Sequence, residues 1–455
     1  MNFCQASRFN DLKEDDILDK FTELREKYPV FIYHSYMISD EGFSFHFSIG
    51  EYEFFPEWKW NGLEIPADMP RELIEYVIFS IGMTELVSYW KCACPPLVRV
   101  MCGSLGEEQI KWWKKLYWGG LGEFFYRNGI ETAFDDFMRI EADCTEVRKF
   151  DDPYKGGRKG ALIPVGGGKD SIVTLELLKG MQSDNLCYII NPRQTTLDCA
   201  HTAGYSDDRI VGLKRSIHPE LLRRNADGWL NGHTPFSAIV AFSSYLAALI
   251  TGKKYIALSN ESSANEGNVN GTGVNHQYSK STEFERDFRT YCEKWLTVPP
   301  EYFSMLRPWS EWQIAQRFVR YPKYLPVFKS CNLGSKTDSW CGKCAKCLYV
   351  YIMLAAFLDD AELKKIFGSD MLDNPEFSGM FDGLVYADFD KPFECVGTRA
   401  EIRLALYNAY KRREGGYVPL LLKKYISAEP DIPESLDDFY DGDNFIPEEL
   451  AGLLK

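Results

Sequence analysis

The stretch Ala161–Leu178, ALIPVGGGKDSIVTLELL, decides the fold of this chain. A short apolar run ends at the glycine triplet Gly166–Gly168, and apolar residues with helical spacing follow the triplet KDS. The pattern predicts a strand that passes through a glycine turn into a helix. Such a turn presents backbone N–H groups at the positive end of the helix, where they suit a phosphate. This context favours nucleotide binding over a plain glycine turn between core elements.

The side chains after the glycines suit the same chemistry. Lys169 brings a positive charge, Asp170 can hold Mg²⁺, and Ser171 can donate a hydrogen bond. The lysine is not followed by the hydroxyl residue of the common phosphate loop, and G-x-G-x-x-G is not matched. Gly166–Ser171 resembles the S-G-G-x-D-S loop of the PP-loop ATP pyrophosphatase superfamily, with Gly166 in place of the usual serine.

That resemblance implies cleavage of ATP between its α and β phosphates and adenylation of a substrate oxygen. We expect Lys169 to contact the pyrophosphate part and Asp170 to hold Mg²⁺. The residues expected to cradle the phosphates are Gly166, Gly167, Gly168 and Ser171.

Composition sets the class of protein. A chain of 455 residues with 15% aromatic residues is long enough for two or three folded domains. No long apolar run and no signal-peptide pattern are present, so we expect a soluble, cytoplasmic protein. The net charge of −14 argues against nucleic-acid or membrane partners, but a local basic patch would still admit an anionic small substrate. The oligomeric state stays open.

The chain is predicted to be α/β, with a parallel-sheet PP-loop domain of the adenine nucleotide alpha hydrolase type. The expected parts are an N-terminal α+β domain without βαβ alternation, the ATP-binding domain, a mostly helical zinc-binding region and a loosely packed acidic tail, at residues 1–150, 151–282, 283–426 and 427–455. Apolar runs predict strands near 161–165, 186–190, 209–213 and 255–259, and a helix over 235–250. Ligands of such sheets bind at the carboxyl ends of the strands.

Thirteen cysteines in a chain without a secretion signal favour metal binding and buried thiols over disulfides. Four of them form a C-x9-C-x2-C-x2-C cluster, Cys331, Cys341, Cys344 and Cys347, in which Cys331 is expected to end an apolar strand. Four thiolates can surround Zn²⁺ and leave no open position, so the site would be structural. An iron–sulfur cluster is the rival occupant, and helix-forming residues directly after Cys347 favour zinc.

Further segments carry a resemblance to one family. They are GMTELVSYWK (82–91), LIPVGGGKDS (162–171), GHTPFSAIVAF (232–242), SNESSANEGN (259–268), SCN (330–332), WCGKCAKC (340–347) and KPFECVGT (391–398). Together they resemble the MurL family of UDP-MurNAc-L-Ala-L-Glu epimerases over nearly the whole chain. 7-Cyano-7-deazaguanine synthase shares the loop and the cysteines but is much shorter.

The resemblance implies inversion of the terminal L-glutamate of UDP-MurNAc-L-Ala-L-Glu in peptidoglycan precursor synthesis, with ATP consumed and AMP and pyrophosphate released. The chemistry is coherent, because adenylation removes the carboxylate charge and makes the α-proton much easier to abstract. Either the acyl adenylate or an oxazolone derived from it would be the acidic species. The rival functions are a PP-loop synthetase acting on another carboxylate and an ATP-binding protein without catalysis.

Inversion needs one or two acid–base groups. The candidates are Cys395, Glu394, His233 and His276, each of which has a packed or capping role as its alternative. A thiol can serve as a base, as it does in cofactor-independent amino-acid racemases. The loop residues Glu261, Asn265, Glu266 and Asn268 are candidates for metal, ribose or substrate contacts, or they form a plain turn. Arg193 is the first choice for binding the anionic substrate, ahead of Arg286, Arg289 and Arg307.

Overall fold

The computed structural model describes residues 14–154, 157–267, 275–296, 300–431 and 433–455. The strands found in these ranges are β1 Val30–Ser39, β2 Gly42–Ile49, β3 Tyr52–Phe54, β4 Glu57–Asn61, β5 Leu97–Val100, β6 Arg139–Ala142, β7 Ala161–Pro164, β8 Leu186–Ile190, β9 Ile210–Ser216, β10 Tyr255–Leu258 and β11 Glu301–Ser304. The helices are α1 Glu14–Lys27, α2 Arg71–Trp90, α3 Glu107–Gly120, α4 Gly122–Arg127, α5 Lys169–Leu177, α6 Gln194–Ala203, α7 Pro219–Ala226, α8 Phe236–Thr251, α9 Thr282–Trp295, α10 Glu311–Phe318, α11 Ala345–Ala355, α12 Asp360–Phe367, α13 Ser378–Val385, α14 Arg399–Arg412, α15 Leu420–Ser427 and α16 Glu448–Ala451.

All eleven strands join one mixed, mostly parallel sheet, so the α/β prediction is confirmed. The order is β11-β10-β7-β8-β9-β4-β2-β1-β5-β6, and β3 pairs with β2. The four strands predicted from apolar runs are β7, β8, β9 and β10. Strands β7 to β11 are parallel to their neighbours within this group.

Numbered along the chain, these five parallel strands lie in the order 3-2-1-4-5 of a doubly wound sheet. The order reverses between β7 and β10, the two strands whose following loops begin at 165 and 259. Loops diverge at such a reversal and leave a crevice at the carboxyl ends of the strands. The topology therefore opens a site next to the glycine turn.

The N-terminal region continues the same sheet. Strand β4 pairs antiparallel with β9, while β1, β5 and β6 run parallel. The expectation that residues 1–150 lack βαβ alternation is therefore wrong, because α3 and α4 connect the parallel strands β5 and β6. The signal was weak since β5 and β6 have only four residues each. The predicted division at residue 150 remains a prediction.

The core lies on both faces of the sheet. Leu162 packs on the face covered by α2 and α8, and Ile163 packs on the face covered by α5, α10 and α11. Helix α8 is apolar on nearly every side, as the 235–250 prediction required, and it ends at Gly252 with φ of 63°. That left-handed conformation is one that glycine adopts without strain.

Three details differ from the expectations for the C-terminal part. The segment before Cys331 is not a strand, because Val327 and Phe328 donate their backbone N–H groups locally to the carbonyl of Tyr324. A short strand, β11, lies inside the region expected to be mostly helical. The acidic tail does not pack loosely, since Leu450 and Leu454 are buried and Asp437, Phe439 and Asp441 hydrogen-bond to the segment 308–313.

Among the described residues, no helix has both the length and the apolar character that a membrane span requires.

Candidate active site

A cavity of about 570 Å³ opens at the carboxyl ends of the parallel strands, beside the glycine turn. Its volume falls within the ordinary range for small-molecule sites, roughly 300–1,000 Å³. The predicted site residues among its lining are Gly166, Gly168, Asp170, Ser171, Arg193, Glu261, Cys331 and Cys395. Further cations line it as well, Lys280, Lys329 and Lys346. The sequence places these residues far apart, and the fold brings them to one rim.

The glycine turn leads into α5 as the sequence predicted. Gly168 is the residue before the helix, and the Ser171 hydroxyl donates to its carbonyl over 3.0 Å. Gly167 has φ of +84°, and a Cβ atom there would lie 2.8 Å from Thr195 Cγ2. A Cβ atom at Gly166 would meet nothing within 4 Å. The turn therefore needs glycine at 167 and leaves open space at 166.

Lys169 does not line this cavity. Its ammonium is buried between the carboxylates of Asp170 and Glu311, and it forms ion pairs with both. Burial alone would lower the pKa of Lys169, but these two carboxylates outweigh it and raise that pKa. Lys169 thus forms an internal ion pair, and its contact with pyrophosphate stays a prediction.

Two carboxylates face the cavity. Burial opposes ionisation of Asp170, yet the Lys169 ammonium outweighs it and lowers the pKa of Asp170. Burial raises the pKa of Glu261, whose backbone carbonyl accepts a 2.6 Å hydrogen bond from Arg307. Carboxylates in this position could hold a divalent cation.

The other residues of the loop after β10 have structural partners. Asn265 accepts from the N–H of Thr282 and donates to its hydroxyl, which fixes the start of α9. Glu266 pairs with Lys391. Asn268 lies outside the described residues.

The four arginines differ in position. Arg193 lines the cavity and is about one-third exposed, with Nη1 donating to the Ser335 carbonyl. Arg286 pairs with Asp443, and Arg289 donates to a backbone carbonyl. Arg307 is fully buried. Only Arg193 of these four is placed to meet a ligand in the cavity.

Cys395 lies at the cavity wall among cationic groups. Lys280 Nζ is 3.1 Å from Cys395 Sγ, and His276 hydrogen-bonds to the same sulfur. Burial alone would raise the pKa of this thiol, but Lys280, His276 and Lys346 together lower it to about 5. Cys395 is therefore a thiolate at neutral pH, and thiolates are the basic and nucleophilic form of cysteine.

His276 also contacts a residue that the sequence did not single out. Its Nδ1 bonds to the Glu123 carboxylate, and His233 Nδ1 lies 3.8 Å from the same oxygen. Burial would lower the pKa of His276, but Cys395 and Glu123 raise it to about 9. Burial and the neighbouring His276 lower the pKa of His233 to about 3. One imidazole is therefore charged at neutral pH and its neighbour is not.

Glu394 does not line the cavity and serves a structural contact. It accepts the backbone N–H of Lys346 over 2.9 Å, and Lys346 bonds through its ammonium to the Cys395 carbonyl. Burial raises the pKa of Glu394. Since Lys346 lies between two cysteines of the cluster, this pair connects the cluster to the wall of the cavity.

The four predicted metal ligands converge. Their sulfur atoms lie within 4.8 Å of one another, with Sγ–Sγ distances of 3.8 Å for Cys331–Cys344, 3.7 Å for Cys341–Cys347 and 3.6 Å for Cys344–Cys347. A tetrahedron with Zn–S bonds of about 2.3 Å has edges of about 3.8 Å. This Cys4 group could therefore bind a zinc ion.

Sequence reasoning missed Glu123, Lys280, Lys346 and Glu311. Their partners lie far away along the chain, 153 residues for Glu123 and His276 and 115 residues for Lys280 and Cys395. Of these four residues, Lys346 had a signal in the sequence that could have identified it, because it stands inside the CAKC turn.

Comparison with known families decides the relationship. The description "MurL N-terminal domain" matches residues 22–305, and "MurL C-terminal domain" matches residues 327–436. The chain belongs to the MurL family. Proteins similar to this MurL-family chain include one from Xanthomonas oryzae pv. oryzae (strain MAFF 311018), 36% identical over 72% of this chain and 73% of the relative.

Two more relatives come from other bacteria. One from Salinispora tropica (strain ATCC BAA-916) is 36% identical over 76% of each chain. One from Micromonospora sp. (strain ATCC 39149) is 33% identical over 75% of this chain and 76% of its own. All three are named UDP-N-acetyl-alpha-D-muramoyl-L-alanyl-L-glutamate epimerase. No solved structure matches this member of the MurL family.

Proposed function

We propose that this protein inverts the terminal L-glutamate of UDP-MurNAc-L-Ala-L-Glu to D-glutamate, with ATP cleaved to AMP and pyrophosphate, as a soluble cytoplasmic enzyme of peptidoglycan precursor synthesis. The observation that carries the proposal is one cavity with a glycine turn on one wall and the Cys395 thiolate on another. The first feature suits activation of a carboxylate by ATP, and the second suits removal of a proton from the activated product. The names of the three relatives agree with this substrate.

ATP would bind at the start of α5. The backbone N–H groups of the glycine turn and the hydroxyl of Ser171 would hold phosphate oxygens. Lys280, Lys329 and Lys346 line the same cavity, and they would neutralise phosphate charge in place of the buried Lys169. We assign the PP-loop fold on this placement and on the strand order.

Asp170 and Glu261 are the residues that would hold Mg²⁺, because both carboxylates face the cavity next to the phosphate site. When bound, the ion would screen the negative charge of the phosphates. Arg193, at the rim, would contact the anionic substrate.

The first chemical step joins the glutamate α-carboxylate to the α-phosphate of ATP. The carboxylate oxygen forms a bond to phosphorus, and pyrophosphate leaves with the electrons of the broken P–O bond. The acyl adenylate lacks the carboxylate's negative charge, so the carbanion formed at Cα is no longer a dianion. This gain in acidity is what the ATP supplies.

In the second step the Cys395 thiolate takes the α-proton, and the electron pair of the C–H bond moves into the activated acyl group. Return of a proton to the opposite face and hydrolysis of the acyl adenylate complete the inversion. A positioned acid or base contributes roughly 10²- to 10⁴-fold to such a step. Lys280, 3.1 Å from the sulfur, keeps it anionic.

Structural zinc fits the Cys4 group better than an iron–sulfur cluster does. The sulfur–sulfur distances match the edges of a tetrahedron around one ion, whereas the atoms of a cluster would separate its thiolates further. Bound zinc would tie the segment at 331 to the start of α11. The ion would thereby hold Lys346 near the cavity.

The test is incubation with UDP-MurNAc-L-Ala-L-Glu, ATP and Mg²⁺ in D₂O, with the C395A variant in parallel. We expect AMP and D-glutamate deuterated at Cα from the wild-type protein. C395A should still form AMP while deuterium incorporation is lost. AMP without inversion would indicate a synthetase that lacks its acceptor, and no AMP would overturn the proposal.

A further inference from the structure

Cys395, His276 and Glu123 form a connected chain of polar groups that begins at the cavity wall. His276 hydrogen-bonds to Cys395, and its Nδ1 bonds to Glu123. A thiol, an imidazole and a carboxylate in this order resemble the nucleophile, base and orienting group of known catalytic triads.

The carboxylate in this chain is built into the fold. Glu123 lies in α4, and its side chain is only 7% exposed. Its oxygen Oε1 is held 2.6 Å from Arg127 Nε, which leaves Oε2 for the imidazoles of His276 and His233. The two oxygens of the carboxylate thus have separate partners, Arg127 on one side and His276 on the other.

We propose that Glu123, His276 and Cys395 form a proton relay in which the carboxylate orients the imidazole and the imidazole exchanges a proton with the thiol. This proposal rests on the proposed function, and it deepens it by assigning a chemical task to the N-terminal region. Glu123 and His276 are positioning residues, since Cys395 alone reaches the cavity. The relay supplies abstraction on one face of Cα, so reprotonation on the other face requires a separate donor.

The proton balance of the relay is closed. In the resting state the thiol has given its proton to His276, whose imidazolium lies between the negative charges of Glu123 and Cys395. The thiolate then takes the substrate α-proton, and the imidazolium keeps its own. After turnover the imidazolium releases its proton to solvent and takes up the proton of the thiol, which restores the thiolate–imidazolium pair.

Several charged and titratable groups face the relay from the elements packed around it. They are Lys91, Arg127, His233, Lys280, Lys346 and Glu394. The cations among them favour the thiolate, while Glu123 is the carboxylate that bonds to His276 and favours its protonated form. Removing this carboxylate should therefore act on the histidine first and on the thiol through it.

The relay also predicts what this site does not bind. Glu123, His233 and His276 are close enough together to hold a metal ion. An imidazole that ligates a metal cannot carry a proton on the same nitrogen. The relay therefore requires that the three groups stay metal-free in the purified protein.

The experiment measures the pH midpoints of the six histidines by NMR of ¹³C-labelled histidine side chains in the full-length protein, with H276N for assignment. The variants are E123Q, the conservative E123D, and R127M, which removes the ion pair but keeps the carboxylate. Deuterium incorporation at Cα and AMP formation are followed in the same proteins.

We expect the His276 midpoint to fall by at least one pH unit in E123Q and to stay within a few tenths of the wild-type value in R127M and E123D. Deuterium incorporation at pH 7 should fall at least tenfold in E123Q, with AMP formation within twofold of the wild-type rate. An unchanged His276 midpoint in E123Q, or a bound metal that H233A or H276N removes, would overturn the relay. A wild-type protein that forms no AMP would overturn the proposed function, and the histidine midpoints would still decide the relay.

Discussion

Replacing Lys280 with methionine removes the cation nearest to the reactive sulfur while keeping a similar side-chain length. At the observed separation of 3.1 Å, two unit charges interact by about 5 kcal/mol at an effective dielectric constant of about 20. Lys280 also faces Asp170 and Glu261, and solvent reaches the cavity, so we take about half of this value, ~2.7 kcal/mol. Since one pH unit corresponds to about 1.4 kcal/mol, the midpoint for ionising Cys395 should rise by about two pH units.

The sign follows from the charge of the thiolate. The pKa of the Cys395 thiol is about 5, below its ordinary value of 9.0, because neighbouring cations stabilise the anion. Losing one of these cations raises that pKa, so the thiolate fraction at pH 6 falls from about 90% to about 10%. Alkylation by iodoacetamide, which needs the thiolate, should become about tenfold slower at this pH.

The assay follows alkylation of the Cys395 peptide by mass spectrometry between pH 4 and pH 9, because the chain has thirteen cysteines. K329M is the matched control, since Lys329 lines the same cavity without contacting the sulfur. K280R should keep the wild-type midpoint. If K280M and K329M give the same midpoint as the wild-type protein, the proposed electrostatic control of Cys395 is wrong.

Three further predictions concern the glycine turn, the cysteine cluster and the pH profile. G166S should keep its free energy of unfolding within about 0.5 kcal/mol of wild type, as measured by urea denaturation. G167A should lose about 1–3 kcal/mol, because residue 167 has a positive φ and a Cβ atom there is blocked. Equal stabilities of the two variants would contradict this account. The purified protein should contain one zinc per chain by elemental analysis, which C344S loses and the control C102S keeps; full zinc in C344S would exclude Cys344 as a ligand. Deuterium incorporation should rise as the Cys395 thiolate forms above about pH 5 and then stay level at neutral pH; a single rise near pH 9 would mean that the thiol is not perturbed.

The sequence predicted more of the fold than of the site. The apolar runs and the glycine turn predicted β7 to β10 and α5, because these signals are local to a few residues. The antiparallel pairing of β4 with β9 had no local signal, since it joins residues more than 150 positions apart.

Separation along the chain also explains why the contacts of the site could not be predicted. Cys395 and His276 were candidates because their residue types suit proton transfer, yet no sequence pattern shows that they touch. Glu123 looked like an ordinary helix carboxylate, and only the fold places it against an imidazole 153 residues away. Lys169 stood in a phosphate-binding pattern, but its ammonium pairs with the carboxylate of Glu311, 142 residues away.

The ladder between β4 and β9 has a mechanical consequence. Five residue pairs from Glu57–Ser216 to Asn61–Gly212 join the N-terminal strands to the parallel strands without a gap. Rotation of one half against the other would have to break these backbone hydrogen bonds, so the frame has no hinge at this place. The N-terminal part that carries Glu123 is thus fixed to the strands whose ends border the cavity, and we expect substrate to enter past the loops at the strand ends rather than through a clam-like opening at this ladder.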